Sequence, residues 1–301
     1  MKIKSLIQKS GNRRYSIPGK IYFFWKDLYF IRRLTRNKFS ILGLTTTLSL
    51  VFVALFALYL SPHDPFKIFP QNMSPPSQEF PLGTDNLGRC ILSRIIYGAQ
   101  VSIGVAFSAV FFSLSLGIIL GLIAGYYEGF WGGIIMRGMD VVLSFPLIIL
   151  ALGIIAALGP SVVNLIFTIG VVYTPTFVRL IYGSVLSTKQ NDYVLALKAL
   201  GSANSRILVL HVLPNIIAPI IVQTSLSLST AILTESALSF LGLGAQPPTP
   251  SWGSMISESR VMMELAPWSA IYPGMAISLA VLGFNFLGDG LRDAFDQLLK
   301  D

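Results

Sequence analysis

Groups able to do chemistry are sparse in this chain, and they are scattered. The two histidines, His63 and His211, stand far apart, and the one cysteine is Cys90. No His/Cys/Asp cluster has metal-ligand spacing. A lone cysteine excludes an internal disulfide and argues against a metal site built on several thiolates. No GxxxxGK(S/T) phosphate loop is present, so the chain carries no nucleotide site of that kind. The residues therefore predict no catalytic site, no metal and no cofactor bound directly. What remains is a set of charges beside apolar runs, where ionisable groups are costly and often functional. Glu235 reads either as a contact or gate residue near the outer end of a span, or as a helix-end charge reaching the interface. Asp85 and Arg89 read either as an outer contact or as a loop-to-helix turn held by Gly83 and Gly88. Asp140, just after Arg137, reads as a structural pairing, and Arg179 and Asp289 as interfacial. The middles of the apolar runs carry no charge, which weakens an ion-coupled secondary carrier as the alternative. A membrane scaffold without transport is a further alternative.

The elements that must position these groups are membrane spans. The chain is 53% hydrophobic and 12% charged, with a mean hydropathy of +0.68; a soluble domain carries about 25% charged residues. A helix needs about 20 apolar residues to cross a bilayer. Residues 40–60, 95–127, 212–234 and 265–288 each supply one span. Residues 141–178 are too long for one, and Gly159-Pro160-Ser161 divides them into two, because Pro cannot continue a helix. Six spans follow, an all-α membrane protein with both termini on one side. The net charge of +8 does not indicate nucleic acid, because 11 of the 22 basic residues lie between Lys2 and Lys38, with Asp27 the only acid there. Eighteen of the 22 fall on the side of the termini, which makes that side cytoplasmic. A basic segment before a span is also a possible contact for anionic lipid. The domain reading is a basic N-terminal segment, 1–38, a transmembrane domain, 39–295, and a tail, 296–301. Gly117, Gly121 and Gly125 form one helical stripe of small residues, suited to a subunit interface or to packing within the chain.

One stretch interrupts the apolar pattern, residues 189–215, and it falls on the cytoplasmic side. Asn191 or Asp192 can cap a short helix. Tyr193, Leu197 and Leu200 then share a face, and Gly201 suits a left-handed position after the helix end. Ser202 can cap a second helix running to the residue before Pro214. The pair reads either as an interfacial helix lying on headgroups or as a docking element for something in the water.

The residues Asp192-Tyr193-Val194-Leu195-Ala196-Leu197-Lys198-Ala199-Leu200-Gly201, followed by Ile207 and Leu213-Pro214-Asn215, resemble the EAA loop of ABC importer permeases. Leu195 stands where that family usually has Glu, and Leu197 where it has the second Ala. Three more segments resemble the dipeptide/oligopeptide permease subfamily: Pro81-Leu82-Gly83-Thr84-Asp85-Asn86-Leu87-Gly88-Arg89, the run from Leu233 through Glu235 to Gly253, and Phe284 to Ala294. Cys90 and Gln100 depart from the usual Asp and Arg. The resemblance covers about 39–295. It implies a type I importer (MetI-like) permease fold in a prokaryotic cell membrane. It implies a homologous permease as heterodimer partner, two ATP-binding subunits using ATP and Mg²⁺, and an extracytoplasmic binding protein. The coupling contact would be Asp192, Tyr193, Leu195, Ala196, Leu197, Leu200, Gly201 and Pro214. Di- or oligopeptides are the expected substrates, with nickel complexes and oligosaccharides as alternatives.

Overall fold

The computed structural model describes residues 37–298, all of them helix, turn or loop apart from one isolated bridge between Thr84 and Cys90. Most of the basic segment 1–38, and the tail beyond 298, lie outside the described residues. The helices are α1 (Lys38–Leu55), α2 (Ala57–Leu60), α3 (Ile91–Tyr126), α4 (Phe130–Leu143), α5 (Leu147–Leu158), α6 (Val162–Thr188), α7 (Asp192–Ala199), α8 (Asn204–Arg206), α9 (Ile217–Phe240), α10 (Trp252–Ser259) and α11 (Trp268–Leu298). Five helical stretches are long and apolar enough to cross a membrane, and α4 with α5 makes a sixth crossing if that bent pair is one span.

Side-chain contacts fix which ends share a face. Asn37, the cap of α1, lies beside Asp293 near the end of α11. Lys189, after α6, reaches the last turn of α3. These ends define a proximal face. Trp268, at the start of α11, donates to the Thr84 carbonyl at the opposite, distal face.

The predicted break at 159–161 is present. α5 stops at Leu158, Gly159 takes φ +87°, and the Ser161 hydroxyl caps α6 by accepting from Asn164 N at 3.1 Å. The expected regular span from residue 141 is corrected. The helix begins at Phe130, runs through Arg137 and Asp140, and ends at Leu143; the chain then bends by 91° before α5. Pro146 explains the bend, since it lacks an N–H and disfavours the helical region for Phe145. Hydropathy placed the boundary at the charges, but a charge interrupts an apolar run without breaking a helix. Asp140 pairs with Arg179 at 2.5 Å.

The centre of the bundle is the α3–α6 contact. Gly117, Gly121 and Gly125 settle their sequence alternatives by packing within the chain. A Cβ on Gly121 would come within 2.7 Å of the Ile181 Cβ, and one on Gly125 within 2.7 Å of the Val185 Cβ. Side chains there would force the helices apart, so the small residues set the closeness of the seam. Phe177, Ile181 and Val185 are wholly buried against it.

Candidate functional site

The proximal corner is α7, Gly201 and the segment into α9. α7 ends in a Schellman closure. Gly201 sits at φ +74°, its N–H donates to the Lys198 carbonyl at 3.0 Å, and Ser202 N donates to Leu197 O at 3.1 Å. That geometry satisfies two helix-end carbonyls, and glycine adopts it without a Cβ penalty. The capping expectations are corrected. Asn191 occupies the N-cap of α7 but its side chain makes no capping bond, and Ala203, not Ser202, precedes α8. Asp192 instead lies in the first turn and Lys198 in the last, each at the helix end that favours its charge.

The second helix is also shorter than expected. Only Asn204–Arg206 is α-helical; Ile207–Val212 opens into a π-turn and Leu213–Ile216 tightens into a 3₁₀ turn containing Pro214. Pro214 has no N–H for the ladder. Asn215 Nδ2 donates to His211 O at 2.6 Å beside the interruption.

The expected shared face of Tyr193, Leu197 and Leu200 is divided. Val194 is the buried residue of α7, and Leu197 packs against the core. Tyr193, Leu195 and Leu200 are exposed, Leu200 by 82%. Asp192, Ala196, Gly201 and Pro214 are exposed with them. The corner therefore grips the body through one side of α7 and offers an apolar surface on the others.

Residues outside the predicted set hold it there. The Tyr126 hydroxyl donates to Asn204 Oδ1 at 2.7 Å, and the Lys198 ammonium lies 4.8 Å over the Tyr126 ring. Lys189 Nζ donates to Gly125 O at 3.0 Å and pairs with Glu128. The polar end at Gly125-Tyr126-Tyr127 is visible in sequence, but its partners are more than sixty residues away.

A second polar cluster lies at the distal face. Asp85 Oδ1 accepts from Leu87 N and Arg89 N, both at 2.9 Å, while Gly88 takes φ +79°. Arg89 Nε donates to Asp85 Oδ2 at 2.7 Å, and Arg89 Nη2 to Glu258 at 2.5 Å. Arg94 Nη2 reaches the same carboxylate at 3.0 Å. Asp85 and Arg89 are buried. They close a turn and tie it to α10, so in this conformation they are not a surface for a soluble partner. Arg94 and Glu258 complete the cluster and were not among the predicted site residues.

The helix-end reading of Glu235 is corrected. It is 0% exposed, not an interfacial charge. Ser239 Oγ donates to it at 2.6 Å and Ser236 Oγ at 3.4 Å, and the Ser102 and Ser251 side chains lie close by. These hydroxyls come from α3, α9 and the N-cap of α10. Burying a carboxyl is costly unless its oxygens are met, and here two hydroxyls of its own helix meet one oxygen each. The pair of Asp140 and Arg179 is different, with both side chains more than half exposed. Arg179 stands nine residues from the end of α6 rather than at it, and Asp289 is exposed on α11.

Residues 117–301 match the family model for the binding-protein-dependent transport system inner membrane component. The chain belongs to this family. The permease also matches the N-terminal transmembrane domain of oligopeptide transport permease C over residues 24–76. It is 46% identical over 277 residues to the dipeptide transport system permease protein DppC of Alkalihalophilus pseudofirmus, covering 92% of this chain and 90% of that one. It is 44% identical over 291 residues to the di/tripeptide transport system permease protein DppC of Pseudomonas aeruginosa, covering 94% of each. It is 42% identical over 285 residues to the glutathione transport system permease protein GsiD of Salmonella typhimurium, covering 94% and 93%. Its fold is similar to a chain in inward-facing crystals of the MetNI methionine ABC transporter, with a TM-score of 0.54 at 15% identity. That match covers 67% of this chain and 96% of the other. The permease thus has the type I importer fold and is a multi-pass membrane protein.

Proposed function

We propose that this permease is one of two membrane subunits of an ATP-driven importer of di- and oligopeptides, with the proximal face in the cytoplasm. Two ATP-binding subunits would dock on the α7 corner, and a binding protein would deliver substrate at the distal face. The observation that carries this reading is the exposed apolar surface of Tyr193, Leu195 and Leu200 on a corner rigidly closed by Gly201. Large apolar side chains left exposed on a short helix between spans mark a contact surface. The sequence assigns eighteen of the 22 basic residues to the side of the termini, and an excess of Lys and Arg marks cytoplasmic segments. Three relatives above 40% identity are named for transport of dipeptides, di/tripeptides and glutathione, all peptide-like molecules.

ATP binding would draw the ATPase subunits together and displace the corner, opening the spans to the distal side; hydrolysis would return them. Leu195, where the family usually carries Glu, makes this contact apolar in part. Asp85, Arg89 and Glu235 act in this scheme by holding the distal elements in place, so that an outer gate has a fixed frame. Reconstitution with the partner permease, ATPase subunits and binding protein tests the reading. Labelled dipeptide should be taken up in an ATP-dependent manner, ahead of nickel complexes and oligosaccharides. Preferential uptake of either of the latter would overturn the substrate assignment.

A further inference from the structure

The α7 corner and Lys189 just before it hold the proximal end of α3 through three contacts. Asn204 takes the Tyr126 hydroxyl, Lys198 covers the Tyr126 ring, and Lys189 bonds the Gly125 carbonyl. Tyr126 is itself buried and closes the last turn of α3. The Lys198 and Asn204 contacts come from the two sides of the Gly201 bend, so the corner cannot shift without moving Tyr126 or breaking both.

From there α3 runs 36 residues, about 54 Å at the helical rise, to the distal face. Its seam with α6 runs over Gly117, Gly121 and Gly125 with no slack for sliding. At the distal end it bonds both ends of α10. Trp252 N donates to Ser102 Oγ at 3.2 Å and Trp252 Nε1 to Ile95 O at 3.0 Å; Arg94 holds Glu258 near the other end. A Cβ on Gly98 would lie 3.2 Å from the Trp252 ring, so α10 rests directly on α3. One helix is thus bonded to the exposed corner at one face and to a short helix at the other.

We infer that α3 is the transmission rod of this permease. Tyr126 is the positioning residue that takes up displacement of the corner, and the Arg94–Glu258 and Ser102–Trp252 contacts deliver it to α10. This rests on reading the corner as the ATPase contact. α3 and α6 move as one body because their seam is too close to shear, and α10 follows because it is fastened to α3 at two points.

The test is a double-mutant cycle on Tyr126→Phe and Asn204→Ala in proteoliposomes holding the full complex and its binding protein. The readout is labelled dipeptide imported per ATP hydrolysed. Each single variant should lower that ratio by about fivefold or more, the range of ordinary coupling between sites. The double variant should be no worse than either single, because both remove one hydrogen bond. Unchanged ratios, or losses that multiply, overturn the rod. Asn204 is exposed, so Asn204→Ala alone decides the matter should Tyr126→Phe fail to assemble. Leu200→Asp runs beside them. If that variant still binds the ATPase subunits and imports normally, the ATPase contact itself is wrong, a failure distinct from that of the rod.

Discussion

Arg94, 1% exposed at the distal end of α3, donates to the carboxylate of Glu258 on α10, 164 residues further along the chain. The same carboxylate takes Arg89, and Asp85 lies within 3.6 Å of Arg94. Two guanidinium groups and two carboxylates thus balance one another, Glu258 being the most exposed of the four. Removing one member of such a cluster strands the others, which costs far more than the intact cluster contributes. Glu258→Ala should destabilise the permease by about 3 kcal/mol, seen as a lower melting temperature in detergent. An unchanged melting temperature would mean that water or another group satisfies both arginines.

The Asp140–Arg179 pair should behave in the opposite way. Its side chains are 57% and 51% exposed, and exposed pairs contribute about 0–1 kcal/mol. Asp140→Asn should leave the same melting temperature almost unchanged. A large fall would show that this surface is dry in the assembled transporter.

The α3–α6 seam makes a steric prediction. Gly121→Ala places a methyl 2.7 Å from the Ile181 Cβ, and such overpacking costs about 1–3 kcal/mol. Gly104→Ala is the matched control in the same helix, because nothing lies within 4 Å of its added carbon. Thermal unfolding of the two variants side by side separates crowding from any general effect of alanine. Equal melting temperatures would contradict the seam.

Gly201 is constrained by backbone conformation and not by space. It holds φ +74° with nothing within 4 Å of an added carbon. Gly201→Val should weaken co-purification of the ATPase subunits, with Gly201→Asn milder, since Asn tolerates the left-handed region and β-branched residues do not. Equal retention by both variants would show that the bend is not needed for docking.

Much of the architecture was legible because charge and apolar length are properties of the chain itself. Long uncharged runs gave the crossings, and Gly201 gave the bend. The 91° break before Pro146 was hidden because Ser144-Phe145-Pro146 lies inside an apolar run that hydropathy treats as continuous. The helix through Arg137 and Asp140 was missed for the complementary reason, since their charges marked an end that the helix runs through. Face assignment on α7 failed because periodicity names residues that share a side, while packing decides which side is covered. Val194 took the core position. Glu235 looked like an end-of-span charge because neither its burial nor the two serines of its own helix that bond it can be read from hydropathy. Arg94 with Glu258, and Tyr126 with Asn204, are pairings that only the folded chain brings together.

The central claim is that an exposed apolar corner on the proximal face receives ATPase subunits that drive peptide import. Labelled dipeptide uptake by the reconstituted complex, wild type against Leu200→Asp, measures this most directly. The account predicts ATP-dependent uptake by the wild type, lost in the variant together with the bound ATPase subunits. Uptake by the wild type on an ion gradient without ATP, or full uptake by the variant, would contradict it.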